Sequence, residues 1–223
     1  MTEPHHAHDH AGHAGHAGHA GGGINAMAVS ATLHCLTGCA IGEIAGLMIG
    51  TALGLSTGWT IVLAVSLAFL LGYTLSTLPV LKAGLGLGAA LSVVLAADTL
   101  SIATMEVVDN AVMALVPGAM DAGLVNSTFW LGMMIALAVA FVAAYPVNRW
   151  LLQRGKGHAL THHLHHGAAQ PTGFRRFIPS LPTPVLVAAI VAFMLGGLVV
   201  SVADGTGEDA EGAGHASAVV TQR

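Results

Sequence analysis

"HCLTGCAIGEIAGLMIGTALG", residues 34–54, carries glycine at 38, 42, 46, 50 and 54. A period of four lays these residues along one row of an α-helix. A row without side chains lets another helix backbone approach closely, as in a glycine zipper. The same stretch sets His34, Cys35, Cys39 and Glu43 among small apolar residues. At about 100° per residue, Cys35, Cys39 and Glu43 form a second stripe beside the glycine row, so they face a helical bundle and not its surroundings. A carboxylate and an imidazole are costly to bury there and demand partners.

The rest of the chain says what surrounds this helix. Of 223 residues 54% are hydrophobic and only 8% charged, and the mean hydropathy is +0.74. Soluble domains carry about 25% charged residues, so a soluble globular fold is excluded. Seven lysines and arginines with a net charge of -4 exclude a nucleic-acid partner. Two cysteines four apart form no disulfide framework. Residues 1–23 are polar and His-rich where a cleavable signal would be basic and then apolar. The composition is that of an integral membrane protein.

A hydrocarbon core of about 30 Å needs about 20 apolar residues per helix. Spans are expected over 27–55, 59–81, 129–152 and 184–203, with one more in 83–116. That last segment is long and leaves two readings, one long tilted helix or a break near Ala96. Glycines at 84, 86 and 88 weaken a helix and favour the break, with an interfacial half-helix over 83–96. The expected fold is all-α, a polytopic membrane bundle of about five helices. Its parts are a His-rich tail (1–26), a four-span core (27–154), a His-rich loop (155–182), a fifth span (183–204) and an acidic tail (205–223). The low-complexity tail and loop, with seven histidines before residue 23 and "HHLHH" at 162–166, cannot build a core and are expected to be disordered and solvated. Five spans with a cytoplasmic N-terminus put Lys82, Arg149, Arg154, Lys156, Arg175 and Arg176 on the cytoplasmic side, as the positive-inside rule asks.

A second polar stripe lies in "ADTLSIATMEVVDNAVM", residues 97–113. Asp98, Met105, Asp109 and Met113 share a helix face, flanked by Ser101 and Glu106. Each ionised group at mid-bilayer costs at least about 2.5 kcal/mol, and no lysine or arginine lies deep in a span to pair these acids, since Arg149 stands near the end of its own. A bound cation or bound protons must neutralise them. In the span over 129–152, Pro146 frees backbone carbonyls near one end, and Asn148, Arg149 and Trp150 read as an interfacial anchor.

These motifs together, "HCLTGCAIGEIAGLMIGTALG", "AADTLSIATMEVVDNAVMALVPGAMDAGL" and "FVAAYPVNRWLLQRGKGHA", resemble the DUF4396 family, a bacterial membrane domain. The resemblance covers about residues 33–160. It implies a helical membrane fold and an association with copper-related oxidases and metal handling, and it carries over no catalytic residue. In relatives the region matching 83–96 looks more basic and amphipathic, in keeping with a half-helix.

The residues point to a transition-metal binding or transport protein, copper first, zinc or nickel as alternatives, and the resemblance implies that it sits in a bacterial cell membrane. Soft thiolates with imidazole select such ions over magnesium or calcium. The expected ligands are His34, Cys35, Cys39 and Glu43 on the first span facing Asp98, Met105, Glu106 and Asp109, with the His-rich segments collecting ions. Lipid, copper-oxidase or metal-handling proteins and a second copy docked on the glycine row are the expected partners. The competing readings are a membrane oxidoreductase accessory subunit and a metal-free scaffold.

Overall fold

The computed structural model describes residues 17–82, 84–154, 177–179 and 181–221. Histidines before residue 17 and in the loop at 155–176, with Lys156, Arg175 and Arg176, lie outside the described residues. Five helices make up the fold: α1 (Ala17–Ala52), α2 (Thr57–Lys82), α3 (Leu87–Leu115), α4 (Ser127–Gln153) and α5 (Thr183–Thr221). Each contains a stretch long and apolar enough to cross a membrane. Successive spans alternate in direction, so Lys82 and Arg154 lie at one end of the bundle. The connectors at 53–56 and 116–126 lie at the other.

Three boundaries differ from the sequence expectation. First, α3 is a single 29-residue helix running through Ala96, roughly 44 Å long at 1.5 Å per residue. Gly84, with φ of 108°, turns the chain, and Gly86 is the N-cap of α3. Two of the three glycines therefore make the connector, and Gly88 falls in the first turn, where a helix tolerates it. Second, α1 already begins at Ala17, inside the His-rich tail. Third, α5 continues to Thr221 through the stretch expected as an acidic tail. Adding a residue to an existing helix needs no new nucleus, and neither extension contains a proline.

The glycine row is the tightest contact of the fold. A Cβ on Gly38 would lie 2.5 Å from the Gly72 Cα, and Cβ atoms on Gly42 and Gly46 would collide with the backbones of Ala68 and Ala64. On Gly50 it would meet the Thr60 side chain at 2.6 Å. Each step of four along α1 is matched by a step of four back along α2, the register of an antiparallel pair. The row is thus occupied by α2 of the same chain and is not free for a second copy. Gly54 does not extend the row. With φ of 64° it closes α1, where Gly54 N–H donates to the Thr51 carbonyl and Leu55 N–H to the Gly50 carbonyl, a Schellman cap.

Large aliphatic side chains such as Val62, Leu70, Val107 and Val142 face outward, while Thr32, His34, Glu43, Ser76, Asp98, Glu106, Asp109 and Asn148 are buried. That distribution suits lipid surroundings. Several hydroxyls follow the same rule: Thr37, Ser66, Thr74, Thr77 and Thr104 each donate to the carbonyl four residues back in their own helix, so none of these five is left unpaired in an apolar medium. The remaining helix, α5, packs on both α1 and α4, burying Leu186 and Met194, and meets Trp130 of α4. The indole packs where Gly197 leaves room, meets Phe193 edge-on at 5.7 Å, and donates to the Leu124 carbonyl at 2.7 Å.

Gly42→Val should lower stability by about 1–3 kcal/mol, the range for overpacking a tight contact, read as a fall in thermal unfolding temperature in detergent. Gly88→Ala, whose Cβ would meet nothing within 4 Å, should leave that temperature unchanged or raise it.

Candidate functional site

Because the glycines clamp α1 onto α2, the stripe one residue further round, Cys35, Cys39 and Glu43, is turned toward α3. The two helices run parallel, and their polar residues meet in sequence. Cys35 lies within electrostatic reach of Asp98, Cys39 of Glu106, and Glu43 of both Glu106 and Asp109. Both thiols are free and buried. The second helix also contributes, since the Cys35 Sγ lies 3.6 Å from the Ser76 Oγ. Ser76 was not singled out from sequence. The signal for it was Gly72, four residues earlier on the same face of α2 and opposite Gly38.

The row is short of donors. Five carboxylate oxygens, Glu43 Oε2, Asp98 Oδ2, both oxygens of Glu106 and Asp109 Oδ1, are buried without a hydrogen-bond partner, as is the Ser101 hydroxyl. A threonine can donate to its own helix; an ionised carboxylate only accepts and must be answered from outside the helix. The chain has no lysine or arginine before Lys82 and none from there to Arg149. An unanswered buried acceptor costs about 1–3 kcal/mol, more when charged.

The remaining expected ligands are placed differently. The His34 Nδ1 donates to the Ser30 carbonyl at 2.8 Å, and His34 sits four residues before Gly38 on the glycine row. Met105 is buried in the same core cluster as Cys35, Cys39, Met113 and Met133. Among the described residues, no group of three or more histidine, cysteine, aspartate and glutamate side chains could hold a metal ion as arranged here. The donors form a ladder of pairs instead of one closed coordination sphere.

At the end toward Lys82 and Arg154, Asn148 corrects the sequence reading. It is only 4% exposed and donates through Nδ2 to the Thr32 Oγ1 at 2.8 Å, while Thr32 donates to the Ala28 carbonyl at 2.7 Å. Asn148 therefore ties α4 to α1 inside the bundle and is no interfacial anchor. Trp150 is 43% exposed, with the Arg154 guanidinium 4.1 Å from its ring centroid. At the opposite end Glu43 and Asp109 line a cavity of about 350 Å³ beneath the 116–126 connector.

Fold and site together define a multi-pass helical membrane protein with a ladder of thiols and carboxylates between two parallel spans. The chain belongs to the family described as Domain of unknown function (DUF4396), which matches residues 25–157. The match takes in α1 without its first residues, α2, α3 and α4, and leaves out α5. No curated protein matches the chain, and no solved structure does.

Replacing Glu106 by Gln keeps the shape and turns one orphaned oxygen into a donor. In chelator-treated protein Glu106→Gln should raise stability by about 1–3 kcal/mol, measured by denaturant or thermal unfolding in detergent. A loss of stability under those conditions would mean that the Glu106 carboxylate is already satisfied.

Proposed function

We propose that this chain binds a transition-metal ion inside the bacterial cell membrane, copper in preference to zinc or nickel, and passes it along the ladder between α1 and α3. One observation carries the reading: buried carboxylates without hydrogen-bond donors stand opposite two buried thiols in a region without basic side chains. Such a row asks for a cation. The thiols select a soft one, since thiolates favour Cu(I) or Zn(II) over magnesium or calcium. Cys35 and Cys39 are the soft donors, and Asp98, Glu106, Asp109 and Glu43 balance the charge. Paired donors in series suit an ion handed on from rung to rung better than one locked in a structural site. Met105 and His34 are reserve donors at the margins of the row. The His-rich segments collect ions at the membrane surface, and copper-oxidase or metal-handling proteins are the partner class.

The decisive measurement is the metal content of purified protein after loading with Cu(I) or Zn(II). Wild type should retain a tightly bound soft metal. The Cys35→Ser, Cys39→Ser double variant should insert normally, keep its helical content and lose that metal. Asp98→Asn should weaken binding less, since it keeps an oxygen donor. Wild type without metal would leave the ladder as a helix-packing scaffold; a double variant that keeps its metal would move the site elsewhere.

For orientation, the basic residues Lys82, Arg149 and Arg154 at one end of the bundle favour that end, and the N-terminus with it, as cytoplasmic. Reporter fusions at residues 57 and 120 should both read external. A cytoplasmic signal at either would reverse the orientation.

A further inference from the structure

We propose that the cavity over Glu43 and Asp109 is a cation-receiving vestibule. There a hydrated cation exchanges water for carboxylate oxygens before reaching the thiols, and the vestibule opens only at the end of the bundle away from Lys82 and Arg154. Delivery to the thiols rests on the metal reading above; the vestibule itself does not.

Four observations carry it. The cavity, about 350 Å³, has room for an ion with its hydration shell, since a water occupies roughly 30 Å³ in the liquid. Glu43 and Asp109 line the cavity while only 7% and 5% exposed, and each has a buried carboxylate oxygen with no hydrogen-bond partner. The charged lining residues, Glu43, Asp109 and Asp121, are all acidic, and Asp121 is exposed in the connector, at the mouth. Asn110 also lines the cavity, and its amide nitrogen donates to the Glu106 carbonyl at 2.9 Å. That leaves its side-chain oxygen as a further acceptor.

The opposite end carries a structural tie where this end carries a cavity. There the chain of bonds from Asn148 through Thr32 to the Ala28 carbonyl crosses from α4 to α1, and all three residues are buried. Charge and access therefore agree. A cation approaching from the connector side meets an exposed acid, then two buried acids, then Glu106 with Cys39.

The test needs no metal. In the full chain with Cys35→Ser and Cys39→Ser, a single reporter thiol is introduced by Leu47→Cys, with Thr60→Cys as a second variant should the first fail to accumulate. Both positions line the cavity. Membrane-impermeant methanethiosulfonates, one cationic and one anionic, are applied to either face of oriented vesicles. Labelling should occur from the face of the 116–126 connector. The cationic reagent should react about ten-fold faster than the anionic one, the low end of electrostatic steering, and Asp121→Asn should cut that ratio several-fold. Labelling from the Lys82 face, no labelling of either variant, or a ratio of one or below would overturn the proposal.

A second arm separates this from the metal reading. Where wild type takes up Cu(I), Asp121→Asn should slow capture several-fold at low salt and leave the amount bound unchanged. A wild type that binds no copper refutes the metal reading while the labelling pattern still decides the vestibule.

Discussion

The bundle hangs on how closely α1 and α2 approach. Four glycines on α1 leave no room even for a methyl group against α2, and that contact fixes more than a distance. It fixes the rotation of α1 about its own axis. With the glycine row committed to α2, the neighbouring stripe has one direction left to face, and Cys35, Cys39 and Glu43 meet α3. Lipid offers no hydrophobic drive between helices, so dispersion and backbone proximity must supply the association. The small residues on both helices make that proximity available.

The polar side chains divide into two kinds inside this frame. Most hydroxyls are answered locally, by donating to a carbonyl of their own helix, while Ser76 meets Cys35 and Ser101 is left without a partner. Carboxylates have no such recourse. The acids of α1 and α3 hold oxygens that nothing in the described residues answers, and the ladder stores free energy that a bound cation or proton would release. A packing device would place matched amides or hydroxyls there, as Asn148 and Thr32 do at the other end. The bundle thus holds two chemically distinct polar arrangements, a satisfied tie between α1 and α4 and an unsatisfied row between α1 and α3.

Much of this was legible in the sequence because helices repeat. A period of four in glycine announced the α1 contact, and the wheel positions of Asp98 and Asp109 put the acids on an inward face. What a period cannot show is the partner. Ser76 reaches Cys35 from another helix, and Thr32 and Asn148 meet across 116 residues of sequence. Glycine itself was ambiguous. Gly38 and Gly54 belong to the same repeat, yet one is pressed against a backbone and the other takes a positive φ to end the helix. Gly84 and Gly86 were read as weakening a helix, while they form the turn before it. The outer ends of α1 and α5 were misjudged for another reason: composition there argues against a buried core, which is a different matter from arguing against a helix.

The place of α5 outside the family match has a consequence for parity. Four alternating spans return a chain to the face from which it set out, so a unit of α1 to α4 alone would present both of its ends beside Lys82 and Arg154. One further helix, packed on α1 and α4 with the Trp130 indole in the space of a missing Cβ, carries the chain beyond Ser201 across to the face where the cavity opens. That helix therefore sets what stands beside the mouth of the cavity, and through Met194 it shares a buried cluster with Cys35 and Cys39.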